Sequence, residues 1–347
     1  MNSVTLLQET AIPERVGTRA AQRIADVASL FAEDMKFVED ELSRAARTGM
    51  APATDSAVHL LEAGGKRVRP LTVLLAASCF GSTVTQAVRE LAVVAELVHL
   101  ATLLHDDVID DGMERRGHPA ARRVWGNAVS VLAGDLLLTH ALERTSAAVR
   151  HGGDASALVD LITTLRRLVD GEVVQLRSRS RLDLEEATYF HVVRDKTASL
   201  FGWAARVGAR SGGASEAAAQ SFGVFGEHVG IAFQLVDDCL DYAGDPEVTG
   251  KTLLIDLHEG KVTLPLIRAV ASGFGRVEDV ERAKSGDDAA CLRLAQAVRS
   301  SGACDAVREI ARDHTTRALS ALHGASPEGT SRELLAAVAR ELTGRTK

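Results

Sequence analysis

Two clusters of aspartates carry the clearest chemical pattern in the sequence. The stretch HDDVIDD at 105–111 and the stretch VDDCLD at 236–241 share the spacing D-D-x-x-D. Residues three or four apart lie on one face of a helix, so each cluster places at least two carboxylates on the same side. Such carboxylates repel one another, and both clusters follow apolar stretches where uncompensated charge is costly. The pattern therefore predicts a bound cation.

The donor atoms indicate which cation this is. They are hard carboxylate oxygens without cysteine or an ordered set of histidines, which favours Mg²⁺ over zinc. Magnesium is usually bound by one or two carboxylates together with phosphate oxygens, so the expected ligand is a phosphorylated molecule between two helices. A solvated acidic helix end explains one such cluster well and two identical clusters poorly. The predicted metal ligands are Asp106, Asp107, Asp110, Asp237, Asp238 and Asp241.

Basic residues lie close to both clusters and suit a diphosphate. GGKRVRP at 64–70 comes just before an apolar helix, and ERRG at 114–117 follows the first aspartate cluster. Arginine offers bidentate contacts to phosphate oxygens, whereas lysine provides a point charge. Taken alone, GGKRVRP is also compatible with a basic surface loop. The basic residues in question are Lys66, Arg67, Arg69, Arg115, Arg116, Lys196 and Lys251.

Helices must position these residues. The chain contains no proline from Ala120 to Asp245, and this stretch is rich in good helix formers. Sustained alternation and hairpin signatures of strands are missing from the sequence. The pattern predicts an all-α protein. Apolar spacing predicts helices at about 22–47, 51–64, 68–79, 84–110, 122–150, 155–178, 185–210, 215–242, 261–271, 288–322 and 330–343.

The composition indicates a globular protein. Of 347 residues, 46% are hydrophobic and 25% charged, and the formal net charge of −7 gives no bulk attraction for nucleic acid or anionic lipid. No linker divides the chain, so we predict a loose N-terminal segment at 1–20 and a single helical domain at 21–347. Four cysteines without C-x-x-C spacing favour reduced thiols and a cytoplasmic location. We expect no signal peptide and no transmembrane helix.

With these motifs in place, the sequence resembles the trans-type polyprenyl diphosphate synthases. The resemblance covers most of residues 22–322. It implies an all-α fold around a deep central cavity, usually as a homodimer. It also implies Mg²⁺-dependent head-to-tail (1′-4) condensation of isopentenyl diphosphate with an allylic diphosphate. The matching segments are GGKRVRP, ELVHLATLLHDDVIDDGMERRG, GNAVSVLAGDLLL, RDKTASLF and FQLVDDCLDYAGDPEVTGKTLLIDLHEGKVTLPLI.

The resemblance also implies roles for individual residues. Asp106 and Asp110, with Asp107 beside them, and Asp237, supported by its neighbours, would bind a Mg²⁺ cluster with the allylic diphosphate. His99 lies seven residues before Asp106, on the same helix face, although a buried core histidine is the alternative. The positions that match isopentenyl diphosphate contacts are Lys66, Arg69, His99 and Arg116. Those that match allylic diphosphate contacts are Arg115, Lys196 and Lys251. Thr197 and Gln234, like Lys196, match residues near the reacting carbons.

Product length is predicted from the residues that precede the first cluster. Thr102 and Ala101 lie four and five residues before Asp106, about 6–7.5 Å deeper along the helix at ~1.5 Å per residue. Short-chain members commonly carry an aromatic residue there, so two small residues resemble the long-chain, heptaprenyl to decaprenyl, members. The floor of the cavity could instead be set by Leu137, Leu138 or residues near 158–168.

Other functions remain open at this point. The nearest is a short-chain synthase that makes geranylgeranyl or farnesyl diphosphate, which differs only in cavity depth. A non-catalytic subunit of a heteromeric synthase is less favoured because both aspartate clusters are intact. A terpene cyclase is disfavoured because it needs no isopentenyl site. GDPEVTGKT at 244–252 ends like a phosphate-binding loop, but its spacing is wrong and no strand precedes it.

Overall fold

Helices dominate the described structure. A computed structural model describes residues 16–81, 83–243, 255–325, 327 and 329–345 of the chain. In these ranges the only strands are two residues long each: β1 (Glu114–Arg115) pairs antiparallel with β2 (His118–Pro119) in a small hairpin. The prediction of an all-α protein is confirmed. The predicted N-terminal segment at 1–20 lies largely outside the described residues.

The described helices fall into two groups along the chain. The first group is α1 (Val16–Ser29), α2 (Ala32–Arg47), α3 (Ala53–Glu62), α4 (Val68–Ser78), α5 (Gln86–Ile109), α6 (Ala121–Trp125), α7 (Asn127–Arg150) and α8 (Ser156–Arg181). The second group is α9 (Glu186–Val192), a π-helix (Val193–Ala198), α10 (Ser199–Ser211), α11 (Glu216–Ala243), α12 (Ile255–His258), α13 (Leu264–Ala271), α14 (Val277–Lys284), α15 (Asp288–Ser300), α16 (Ala303–Ala325) and α17 (Thr330–Thr343).

Several predicted helices are interrupted where glycine leaves the helical region. The predicted helix at 288–322 is two helices, because Gly302 takes a left-handed φ of 72°. The predicted helix at 122–150 is likewise divided at Gly126, which has a φ of 84°. The apolar spacing also missed α14, a mostly charged helix whose buried residues are Val280 and Ala283.

Helix α5 is the central helix of the first half. Every residue from Leu91 to Val98 is buried, and all of them except Glu96 are apolar, as expected for a helix surrounded by the core. The Thr85 hydroxyl caps its first turn by accepting from the Val88 backbone N–H at 3.3 Å. The helix packs mainly against α7, with α4 and α10 on other sides. Its buried course carries the first aspartate cluster to its C-terminal end.

Helix α11 plays the same part in the second half. Its apolar length packs against α10 and α16, and the second aspartate cluster lies in its last two turns. Leu235, Cys239 and Tyr242 are fully buried in a core shared with the helices that follow. None of the four cysteines of the chain forms a disulfide. Among the described residues, we find no helix with both the length and the apolar character needed to cross a membrane.

Candidate active site

The π-helix joins the two aspartate clusters. Lys196 Nζ lies 3.6 Å from Asp106 Oδ1, at the end of α5. The adjacent Thr197 donates its hydroxyl to Gln234 Oε1 on α11 at 3.2 Å. Two consecutive residues of one turn therefore contact both motif helices. Such π-helical turns are rare and occur frequently at functional sites.

Close packing against α8 holds the π-helix in position. Arg167 of α8 donates to Asp195 Oδ1 at 2.8 Å and to Glu227 Oε1 of α11 at 2.5 Å. A Cβ at Gly171 would lie only 2.7 Å from the backbone nitrogen of Lys196. Because no side chain fits at this crossing, glycine allows α8 to lie directly on the turn that carries the predicted catalytic residues.

The second aspartate of each cluster is buried and hydrogen-bonded within the protein. Arg115 Nε donates to Asp107 Oδ1 at 2.9 Å, while the buried Asp107 Oδ2 has no hydrogen-bond partner. Asp238 accepts from the Tyr189 hydroxyl at 2.6 Å and from Gln234 Nε2 at 2.7 Å. Both oxygens of Asp238 are thus occupied by protein donors.

Burial raises the pKa of both of these aspartates. For Asp107 the loss of water outweighs the opposing effect of the Arg115 guanidinium. For Asp238 burial, together with the negative charge of Asp256, raises the pKa well above its usual range, against the two hydrogen bonds it accepts. Burial therefore opposes ionisation at both positions.

The first aspartate of each cluster remains accessible. The side chains of Asp106 and Asp237 are 21% and 28% exposed. Asp237 Oδ1 lies 3.6 Å from Arg345 Nη1, and the Arg345 guanidinium lies over the Phe233 ring at 4.5 Å. A helix rotates by about 100° per residue, so the two neighbouring aspartates of a cluster necessarily face different surroundings.

The third aspartate of each cluster has at least one partner in the segment that follows α11. Asp110 accepts from Arg179 Nη1 at 2.6 Å and pairs with Lys261 Nζ at 2.8 Å. Burial acts to raise the pKa of Asp110, but the positive charge of Lys261 and its neighbours brings it below the usual value. Asp241 Oδ2 accepts from the backbone nitrogen of Asp256 at 3.3 Å.

The donor set fits a hard divalent cation. It consists of carboxylate oxygens, and the unpartnered Oδ2 of Asp107 is an acceptor that a cation or its water would satisfy. As they stand, no three histidine, cysteine or acidic side chains of the described ranges converge on one ion position. Ligation would require motif carboxylates to exchange their arginine and lysine partners for the metal.

A basic cluster lies where α4 begins. Arg67 takes a left-handed φ of 48° and pairs with the buried Glu96 at 3.0 Å and with Glu39 at 2.7 Å. A Cβ at Gly65 would lie 2.7 Å from Arg67 Nη1 and 3.0 Å from Arg116 Nη1. Gly65 therefore allows two guanidinium groups from different segments to approach one stretch of backbone.

Arg69 and His99 belong to the same cluster. The Arg69 guanidinium lies over the Phe201 ring at 4.6 Å, and burial lowers its pKa to about 10. Burial also lowers the pKa of His99 well below its usual value, with Arg69 and Arg116 adding to the shift. His99 is therefore a neutral imidazole near pH 7. Lys66 is exposed beside them. Lys251 lies outside the described residues.

The buried Arg67–Glu96 pair stabilises this cluster, and its loss should be measurable. Glu96→Gln removes the charge opposite Arg67 and should lower the free energy of unfolding by about 3 kcal/mol. Urea denaturation measures this change. Glu62→Gln is the control, because it breaks an exposed pair with Arg47 and should cost under about 1 kcal/mol. Equal effects of the two variants would contradict the structural role of Glu96.

Comparison with known proteins identifies the family. A model of the polyprenyl synthetase family matches residues 52–298. The chain belongs to the polyprenyl synthetase family. It is a prenyltransferase, and prenyl chain elongation is the activity that its relatives share. The resemblance stated from the motifs is confirmed.

Individual members of the polyprenyl synthetase family show how far the likeness extends. A heptaprenyl diphosphate synthase component 2 of Geobacillus stearothermophilus is 40% identical over 243 residues, 70% of this chain and 74% of that protein. A nonaprenyl diphosphate synthase of Rhodobacter capsulatus is 36% identical over 319 residues, 91% and 95% of the two chains. Relatives named for short-chain and geranylgeranyl products match as well.

A solved structure from the family supports the fold. The polyprenyl synthase of Caulobacter crescentus superposes with a TM-score of 0.84 at 36% identity, covering 94% of this chain and 98% of that one. That crystal structure contains calcium and isoprenyl diphosphate. The predicted all-α isoprenoid synthase fold is confirmed.

The residues predicted to govern product length in this polyprenyl synthetase lie in two environments. Ala101 is fully buried in the core around α5, whereas Thr102 is half-buried and donates its hydroxyl to the His99 carbonyl at 2.8 Å. Leu137 is buried in the same core cluster as Ala101, and Leu138 packs against it. The alternative floor residues therefore lie beside the predicted ones rather than in a separate region.

Sequence reasoning missed several residues of this polyprenyl synthetase site. Glu172 of α8 is buried and pairs with Lys196, and Arg179 and Lys261 pair with Asp110. Arg345, which follows the last described helix, pairs with Asp237. Each is a single charged residue outside the recognised spacing. Of these, only Lys261 lies within a segment that carries the family resemblance. It is part of HEGKVTLPLI, the end of the last such segment, and could have been chosen from it.

Proposed function

We propose that this chain condenses isopentenyl diphosphate with an allylic diphosphate in a Mg²⁺-dependent head-to-tail reaction and elongates the product to a long-chain all-trans polyprenyl diphosphate. One observation carries the proposal: the π-helix places Lys196 against the first aspartate cluster and Thr197 against the helix of the second. Family membership supports the reaction class, and the aspartate and arginine clusters support the two diphosphate substrates.

The proposed metal ligands come from the first aspartate cluster and from its counterpart on α11. Asp106, Asp110 and Asp237 would hold Mg²⁺, with Asp107, Asp238 and Asp241 beside them. When bound, Mg²⁺ would neutralise negative charge on the allylic diphosphate and so stabilise it as a leaving group. The likeness to a structure that contains calcium supports the binding of a hard cation.

The basic residues bind and orient the two diphosphates. Arg115 and Lys196 already face carboxylates of the first cluster, so with Lys251 they are proposed to bind the allylic diphosphate. The arginine cluster at the start of α4 is proposed to bind isopentenyl diphosphate through Lys66, Arg69, His99 and Arg116. Holding the reactants in place lowers the entropic part of the barrier.

The reaction depends on stabilisation of charge and on exclusion of water more than on a general base from the protein. The allylic C–O bond breaks, the diphosphate leaves, and the isopentenyl double bond attacks the resulting allylic carbon. The proton then lost from the isopentenyl unit passes to the departing diphosphate. Thr197 and Gln234 face the reacting carbons, and the apolar side chains of α5 exclude water that would quench the cation.

A condensation assay tests the reaction class. Purified protein is incubated with labelled isopentenyl diphosphate and farnesyl diphosphate, and the label extracted into organic solvent after phosphatase treatment is counted. We expect incorporation with Mg²⁺ and none when EDTA is added. No incorporation at any Mg²⁺ concentration would contradict the proposal. Activity that appears only after a second component is added would favour the heteromeric alternative, as the name of the Geobacillus relative suggests.

We also propose that the chain forms a homodimer through exposed apolar faces of α7 and α8. On α8, Ile162, Val169, Val173 and Leu176 are exposed at spacings of seven, four and three, which is one face of a helix. Leu132 of α7 is 59% exposed. Contiguous apolar surface of this kind is typical of a protein–protein interface.

The double variant Val169→Asp/Val173→Asp should abolish the dimer, because it would bury four charges in the interface. Light scattering after size-exclusion chromatography should give twice the 36.8 kDa of one chain for the natural sequence and 36.8 kDa for the variant. Leu292→Asp, at an exposed apolar position on α15, is the control and should stay dimeric. A natural chain that is monomeric at micromolar concentration would contradict the homodimer.

A further inference from the structure

A closed set of hydrogen bonds ties the π-helix to α11. Tyr189 and Thr197 lie on the continuous helical segment formed by α9 and the π-helix, and Asp238 and Gln234 lie one turn apart on α11. Tyr189 donates to Asp238 Oδ2 at 2.6 Å, and Gln234 Nε2 donates to Asp238 Oδ1 at 2.7 Å. Thr197 donates to Gln234 Oε1 at 3.2 Å.

The chemistry of these groups fixes the direction of each bond. When ionised, Asp238 offers both oxygens only as acceptors, and because Tyr189 occupies Oδ2, the amide nitrogen of Gln234 faces Oδ1. The amide oxygen of Gln234 then faces Thr197. The single hydroxyl proton of Thr197 is used in the bond to that oxygen, and its lone pairs are left for whatever lies in the site.

We propose that Tyr189 and Asp238 are positioning residues that orient the Gln234 amide and, through it, the Thr197 hydroxyl for the reaction. This inference rests on the proposed function. It gives Asp238 a role distinct from that of Asp237, whose side chain is more exposed. Oxygen lone pairs directed at the reacting carbons stabilise positive charge that develops there, whereas a hydroxyl proton would oppose it.

The Tyr189 side chain is suited to this task because it is buried and its hydroxyl has one strong acceptor. Its ring packs edge-on against the Phe190 ring, with 5.4 Å between the ring centroids, within the core that surrounds the end of α11. Loss of the hydroxyl alone would free Asp238 Oδ2 and allow the carboxyl group and the Gln234 amide to rotate. The packing of the ring would be retained in Tyr189→Phe, so the change is confined to the hydrogen-bond set.

The test compares the two tyrosines of the chain. Tyr242 is also buried, and its hydroxyl bonds to Thr263 Oγ1 at 3.0 Å, apart from the set. Tyr189→Phe should lower kcat about tenfold with the KM of isopentenyl diphosphate unchanged, the pattern of a lost transition-state interaction. Tyr242→Phe should leave kcat within about twofold. In a Thr197→Val background, Tyr189→Phe should have no further effect, because both act through one chain.

A second variant separates positioning from metal ligation. In Asp238→Asn the new amide group can donate to Gln234 and so reverse the orientation of the Gln234 amide. This variant should lower kcat, while the Mg²⁺ concentration that gives half-maximal activity stays unchanged. Asp237→Asn should raise half-saturating Mg²⁺ and weaken calorimetric binding of Mn²⁺ with inorganic pyrophosphate, whereas Asp238→Asn should leave that binding intact.

Three results would each overturn the inference while the natural enzyme is active. The first is equal kinetics of Tyr189→Phe and Tyr242→Phe, and the second is additive effects of Tyr189→Phe and Thr197→Val. The third is a loss of Mn²⁺–pyrophosphate binding in Asp238→Asn that matches Asp237→Asn. An inactive natural enzyme would instead overturn the proposed function itself.

Discussion

Asp106→Asn should lower kcat by at least about a thousandfold, since it removes one carboxylate charge from the proposed metal site. Asp106 is the accessible first aspartate of its cluster and lies 3.6 Å from Lys196 Nζ. The substitution keeps the size of the side chain, so the fold should be unaffected. Steady-state kinetics at saturating Mg²⁺ and both substrates measure the change.

Asp111→Asn is the matched control for this prediction. Asp111 lies at the end of the same acidic stretch, but its side chain is 83% exposed and pairs with Arg122 at the surface. Its loss should change kcat by less than about twofold, as expected for a surface ion pair. If Asp106→Asn and Asp111→Asn behaved alike, the first cluster would not be the metal site.

Thr102→Phe should shorten the product by several isoprene units. Thr102 lies about 6 Å before Asp106 along α5 at ~1.5 Å per residue, and it is half-buried, so a phenyl group there would block the path of a growing chain. Reaction with farnesyl diphosphate should then stop near four or five units. Mass spectrometry of the dephosphorylated alcohols measures the distribution.

Ala101→Phe should also shorten the product, but at a greater cost in stability. Ala101 is fully buried, and an added phenyl ring would overpack the core by about 1–3 kcal/mol of unfolding free energy. Thr316→Phe is the control for both substitutions. Like Thr102, Thr316 is a helix residue whose hydroxyl bonds to a backbone carbonyl, but it is exposed at the surface. An unchanged product length in both Ala101→Phe and Thr102→Phe would place the floor elsewhere, beginning with Leu137 and Leu138.

The sequence predicted the helical fold because its patterns are local. Proline placement and apolar spacing located α5 and α11 closely, and both bring an aspartate cluster to a C-terminal end. The π-helix at 193–198 was not predicted, since six residues inside the predicted helix at 185–210 are too few to show a spacing of their own. The breaks at Gly126 and Gly302 depend on backbone conformation, which glycine permits without requiring.

The site was predictable in its residue types and less so in its geometry. Spacing placed aspartates on one helix face, but only the structure separates the accessible Asp106 and Asp237 from their buried neighbours. The partners Arg179 and Arg345 come from distant segments and carry no recognisable spacing. Such long-range ion pairs depend on how helices pack, which no local pattern encodes.

Product analysis of the natural chain tests the central claim most directly. Purified protein, Mg²⁺, isopentenyl diphosphate and farnesyl diphosphate are incubated to completion, and the dephosphorylated products are sized by mass spectrometry. We predict all-trans alcohols of seven or more isoprene units, which require both a working pair of aspartate clusters and an open path beside Thr102. Products that stop at four isoprene units would contradict the long-chain assignment. The absence of any condensation product would contradict the proposed condensation reaction.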